Sequence, residues 1–86
     1  MMKGSIMEAD KKALLLEEAR IRKLRWIVDF TSTLLRQADL SLAEAQTLVA
    51  QARTKALELF PDKGETFDLI YGSRFRRILT EKYRLQ

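Results

Sequence analysis

The sequence predicts an all-α protein: one long N-terminal helix, then an antiparallel pair of shorter helices, self-associating through the long one. Three observations predict it. Good helix formers (Ala, Leu, Glu, Arg, Lys and Gln) dominate the chain, and only three glycines and one proline punctuate its 86 residues. Apolar residues recur at helical spacing and never alternate with polar ones over the length a strand needs. A Ser-x-x-Glu sequence at Ser41 and a Pro-Asp-Lys-Gly sequence at Pro61 mark the two places where one helix stops and the next begins.

The first helix is expected from Glu8 to Gln37 or Ala38, a stretch free of Pro and Gly. Leu24, Ile27, Val28, Thr31, Leu34, Leu35 and Ala38 fall on one broad face. Leu14, Ile21, Val28 and Leu35 form a heptad-like stripe. Its companion stripe, Glu17, Leu24, Thr31 and Ala38, is polar at Glu17 and Thr31, which favours a wide-faced bundle helix over a continuous coiled coil.

Ser41-Leu42-Ala43-Glu44 has the form of a capping box, with Leu40 placed to staple against Ala45. The short link it implies makes the second helix an antiparallel neighbour of the first. That helix is expected from Leu42 to Leu59 or Phe60, ended by Pro61. Its inner face reads Ala45, Leu48, Val49, Ala52, Ala56, Leu59 and Phe60. The third helix is expected from about Glu65 to Tyr83 or Arg84, capped by Thr66 or Asp62. Phe67, Tyr71, Phe75, Ile78, Leu79 and Leu85 face inward. Gly72 lies inside it; either another helix passes close there or the chain breaks and restarts at Ser73. The unbroken phase from Phe67 to Leu79 favours a continuous helix.

Residues 8–86 read as a single helical domain and residues 1–7 as a disordered N-terminus. A core this small is marginal by itself. With no cysteine and no histidine, disulfides and an ordinary zinc site are unavailable, so self-association is the remaining route to stability. The same absences remove imidazole general bases and thiol nucleophiles. The glycines are too scattered for a phosphate loop. Asp29, Asp39, Asp62, Glu65 and Asp68 are accounted for by capping and turns. No catalytic, cofactor-binding or metal residue, and no small-molecule substrate, is assigned. No span has signal-peptide or transmembrane character, which makes a cytoplasmic protein the expectation.

Length supplies the strongest functional argument. At 1.5 Å per residue the first helix is about 45 Å long and each of the others under about 30 Å. Two shorter helices cannot cover it, so the half carrying Leu14-Leu15-Leu16 and Ile21 is left with exposed apolar residues, the mark of an interface. The leading expectation is a non-enzymatic protein–protein interaction or regulatory module. It would be a homo-oligomer (most simply a dimer) or would bind a helical partner. Leu14, Ile21, Trp26, Val28 and Phe30 are its apolar contacts, with Arg22 and Arg25 at the rim.

The alternative is a nucleic-acid-associated accessory protein. Residues 71–86 carry Arg74, Arg76, Arg77, Lys82 and Arg84 against Glu81 alone, and this local balance equals the +4 of the whole chain. Arg74, Arg76, Arg77 and Arg84 on one exposed face would track phosphates. The plainer reading is a solvated face that also suits the helix macrodipole. Tyr71 and Phe75 fall on the inner side, as core and not as stacking platforms. A membrane role for residues 11–28 is set aside because Glu17 and Glu18 interrupt the basic face; Glu18 and Arg22 read instead as a solvated i,i+4 pair.

Overall fold

The computed structural model describes the backbone of residues 8–84 and the side chains of residues 10–84. The expected disorder of residues 1–7 and the inward-facing Leu85 lie outside the described residues. Within them the protein is all-helical, without strands, and comprises three helices. Helix α1 spans Glu8–Gln37 and α2 spans Leu42–Leu59. The third helix is made of α3 (Gly64–Phe67), a π-helical turn (Asp68–Gly72) and α4 (Ser73–Tyr83), which run on without interruption.

The α1–α2 boundary forms as the sequence chemistry dictates. The Ser41 hydroxyl accepts from the Glu44 N–H at 3.1 Å, and the Glu44 carboxylate accepts from the Ser41 N–H at 2.8 Å. Two otherwise orphaned donors are thereby satisfied. The backbone hydrogen bond holds the Glu44 carboxyl below its ordinary pKa. At the other end of α2 the Phe60 N–H donates to Ala56 and the chain turns through Pro61 and Asp62. The third helix then starts without a side-chain cap. Lys63 occupies the N-cap position, so neither Thr66 nor Asp62 has the expected role.

The π-helical turn is the departure that sequence periodicity did not foresee. The Ser73 N–H donates to Asp68 O, five residues back instead of four. Phe67, Tyr71 and Phe75 are spaced four apart, and on a 3.6-residue repeat each step runs about 40° past a full turn. The wider turn takes up part of that overshoot, with Phe67 and Phe75 buried and Tyr71 packed against the core. Phe67 and Phe75 are buried, and their ring centroids lie 6.2 Å apart. Gly72 therefore needs no close neighbouring helix: a Cβ there would meet Asp68 at 3.7 Å, an ordinary contact.

Val28 and Leu35 of α1, Ala45, Ala52 and Ala56 of α2, and Phe75, Ile78 and Leu79 of α4 make the core. The three alanines let α2 approach closely, while Phe75, wholly buried, fills the space between elements. Burying a side chain of that size is worth roughly 2–3 kcal/mol. Two hydroxyl residues share the core, Thr31 and Ser32, and the Ser32 hydroxyl has no hydrogen-bond partner.

The end of α4 closes the fold. Lys82 Nζ donates to the carbonyls of Leu35 at 2.6 Å and Ala38 at 2.5 Å. A cation thus satisfies acceptors at the C-terminus of α1, where the helix dipole is negative. The Tyr83 hydroxyl donates to Leu40 O at 2.6 Å and fixes the α1–α2 link from the same side.

Candidate functional site

Packing consumes one face of α1 and only part of its length. Leu24 is the first residue from the N-terminal side that is not exposed; every side chain from Asp10 to Lys23 is open to solvent. Leu14, Leu15 and Leu16 are each about three-fifths exposed and Ile21 a little over a third. A small protein has little reason to present four large aliphatic side chains on one free segment unless something else covers them.

Each sequence-derived contact residue has a definite place. Leu14 and Ile21 lie on the free segment, with Ile21 bordering an apolar groove of about 250 Å³ formed with Leu24, Phe60, Phe67 and Ile70. Trp26 and Phe30 stack in parallel, 4° between planes and 5.0 Å between centroids, and both are exposed. They border a second groove, of about 410 Å³, whose other wall is Leu48, Ala52 and Leu59 of α2. Val28 is the correction: only 1% exposed, it belongs to the protein's own core and is removed from the contact set. The heptad stripe on which it was placed points into the fold, because Leu35 and Val28 carry that stripe onto α2 and α4.

The charges at the rim also differ from expectation. The ion pair on the free segment is Glu17–Arg20 at 3.8 Å, not Glu18–Arg22. Both Glu18 and Arg22 are exposed, as are Lys12, Arg25 and Asp29.

The C-terminal arginines are exposed but unequal. Arg74 lies over the Tyr71 ring, 5.6 Å from its centroid. Arg76 sits near enough to Asp68 to help lower its pKa. The Arg77 and Arg84 guanidinium groups take no part in a hydrogen bond or ion pair among the described residues. Arg84 has the left-handed conformation, φ 56°, and ends the helix, its N–H donating to Thr80 O. Lys82, counted with this cluster in the sequence, is spent on α1.

Sequence reasoning missed the contact that pins the π-helical turn. Arg53 Nε and Nη2 donate to the two Asp68 carboxylate oxygens at 2.8 and 3.1 Å, a bidentate pair from α2 to the first residue of the turn. The Arg53 hydrogen bond holds the Asp68 carboxyl below, and the guanidinium above, their ordinary values. The signal was weak because both residues occupy outward positions of their helices and fifteen residues separate them. Leu69 and Ile70, exposed on this turn, were also overlooked, since an α-helical wheel gives them no common face with the core.

The chain matches no protein-family model, no curated protein and no solved structure at a significant level. Among the described residues no helix is long and apolar enough to cross a membrane.

Proposed function

We propose that this protein is a non-enzymatic helical interaction module that acts by burying the free face of α1 against another helix, in the simplest case that of a second copy. In this reading α1 and α2 form an antiparallel hairpin, the third helix locks it, and the N-terminal half of α1 is the working surface. One observation carries the reading: the unbroken exposure from Asp10 to Lys23, with its leucines and Ile21. The stacked Trp26–Phe30 pair supports it, because aromatics that are large, rigid and exposed are the usual anchors of interfaces.

Size exclusion with light scattering tests it. A mass at a multiple of 10.0 kDa is expected, falling towards the monomer in Trp26→Ala. A wild-type monomer at high concentration, with no helical partner retained, would sink the proposal. Running the same column with a short mixed-sequence oligonucleotide at low and moderate salt tests the alternative. Co-migration that fades as salt rises, and is abolished by charge reversal at Arg77 and Arg84, would put nucleic acid first.

A further inference from the structure

A face of α1 not singled out by the heptad stripe carries a more specific pattern. Lys12, Leu15, Ala19, Arg22, Trp26 and Asp29 follow one another at steps of three, four, three, four and three residues, the spacing of a two-stranded helical seam. All six are exposed, and they lie on the side of α1 away from Val28, Thr31 and Leu35. The spacing is symmetric about its centre between Ala19 and Arg22, and so is the chemistry when the order is reversed. Lys12 then meets Asp29, Leu15 meets Trp26, and Ala19 meets Arg22. On the flank of the same register Glu18 meets Arg25, and Glu18 is not engaged by Arg22 within its own chain.

We infer that α1 pairs antiparallel with α1 of a second copy through this seam, with the two-fold axis passing between Ala19 and Arg22. This rests on the self-association reading and specifies its surface and orientation. A parallel pairing in register would set Lys12 against Lys12, Arg22 against Arg22 and Asp29 against Asp29, each a like-charge contact at the seam. The antiparallel pairing replaces the Lys12–Lys12 and Asp29–Asp29 contacts by one opposite-charge contact, Lys12–Asp29, made twice by symmetry, and sets Arg22 against Ala19. Ala19, the small residue at the centre, lets the helices come close and gives the Arg22 stem room to lie along the partner. Leu15 of each copy covers Trp26 of the other, and Phe30, stacked behind Trp26, holds that ring in place. The paired length, Lys12 to Asp29, is about 27 Å. With the exposed parts of Leu15, Leu16, Trp26 and Phe30 and the aliphatic stems of Lys12, Arg22 and Lys23, it would bury on the order of 600 Å² per copy. That matches the lower bound of specific interfaces, about 1,200 Å² in total. Each free N-terminal segment lies along the half of the partner's α1 that is backed by its core.

The absence of native cysteine allows a direct test. Lys12→Cys and Asp29→Cys chains are prepared separately, mixed at a concentration well above that at which the wild-type protein associates, so that the mixed pair keeps one of its two Lys12–Asp29 contacts, and treated with a short bismaleimide. A cross-link between the two different chains is expected, with none within either variant alone, because like positions are about 25 Å apart along the antiparallel pair. Cross-linking of each variant to itself would overturn the orientation in favour of a parallel pair. A dimeric mass without either cross-link would overturn the seam while leaving self-association intact. A monomeric wild-type protein would remove both. As a second measurement, Asp29→Lys should weaken association about ten-fold or more, and Lys12→Asp in the same chain should recover most of that loss; no recovery would count against the Lys12–Asp29 contact.

Discussion

Lys82 shows how a residue that reads as surface charge can be structural. Its ammonium bonds the Leu35 and Ala38 carbonyls, so Lys82→Met removes a cation from the negative end of α1 and leaves two acceptors short. The expected cost is roughly 1–3 kcal/mol in denaturant unfolding, with Lys82→Arg recovering part of it. Ser32 is the opposite case. Its hydroxyl is buried without a partner, so Ser32→Ala gives up a desolvated polar atom and no hydrogen bond. Thermal unfolding should show a neutral to stabilising change of up to about 1 kcal/mol; clear destabilisation would mean that the hydroxyl is engaged after all. Arg53 and Asp68 give a pH dependence. The folded-state pKa of Asp68 is depressed by Arg53, so the stability from this pair is present above the ordinary aspartate range and is lost as pH falls through the folded value. Wild-type protein should therefore lose thermal stability on acidification through that window. Arg53→Met should start lower and lose less, its carboxyl titrating nearer the ordinary value.

The third helix is where propensity and packing disagree and both are accommodated. Three inward aromatics at four-residue steps share one face of an α-helix but drift by about 40° per step, and the π-helical turn at Asp68–Gly72 reduces that drift. Gly72 has helical φ and ψ, and the space beyond it is open enough for a methyl group. Gly72→Ala should therefore stabilise the protein, by up to about 1 kcal/mol, through lower chain entropy in the unfolded state. A lowered melting temperature would show that the π-helical turn needs the glycine. The start of α2 is more conventional. Ser41→Ala removes the acceptor for the Glu44 N–H and should cost about 1 kcal/mol, read as a lowered melting temperature.

The molecule divides into a packed body and a free arm. The core draws on α1 only from Leu24 onward, so a chain shortened to begin at Arg20 should keep its body folded while losing the arm. At concentrations where both proteins are monomeric their melting temperatures should nearly coincide. At higher concentration only the full-length chain should gain mass and stability, since association stabilises in proportion to the logarithm of concentration. Loss of the fold in the shortened chain would instead make the arm part of the body, and the two-part description would fail.

Helix boundaries were legible because local rules set them: the capping box at Ser41, the stop at Pro61 and the long stretch free of Gly and Pro before Ala38 act over a few residues each. The apolar faces of α2 and α4 follow from periodicity, and the length mismatch between α1 and the two shorter helices already implies a segment of α1 that they leave uncovered. Packing alone decided the rest. Val28 could be core or contact until α2 and α4 were seen to cover it. The Arg53–Asp68 bridge and the Lys82 clamp join residues far apart in the chain, whose mutual approach no local pattern encodes. The π-helical turn, whose first residue Asp68 is held by that bridge, leaves no mark in the apolar periodicity. What local chemistry specifies is where helices begin, end and turn an apolar side; which of those sides is used up within one chain, and which is left over for another, depends on how the helices meet.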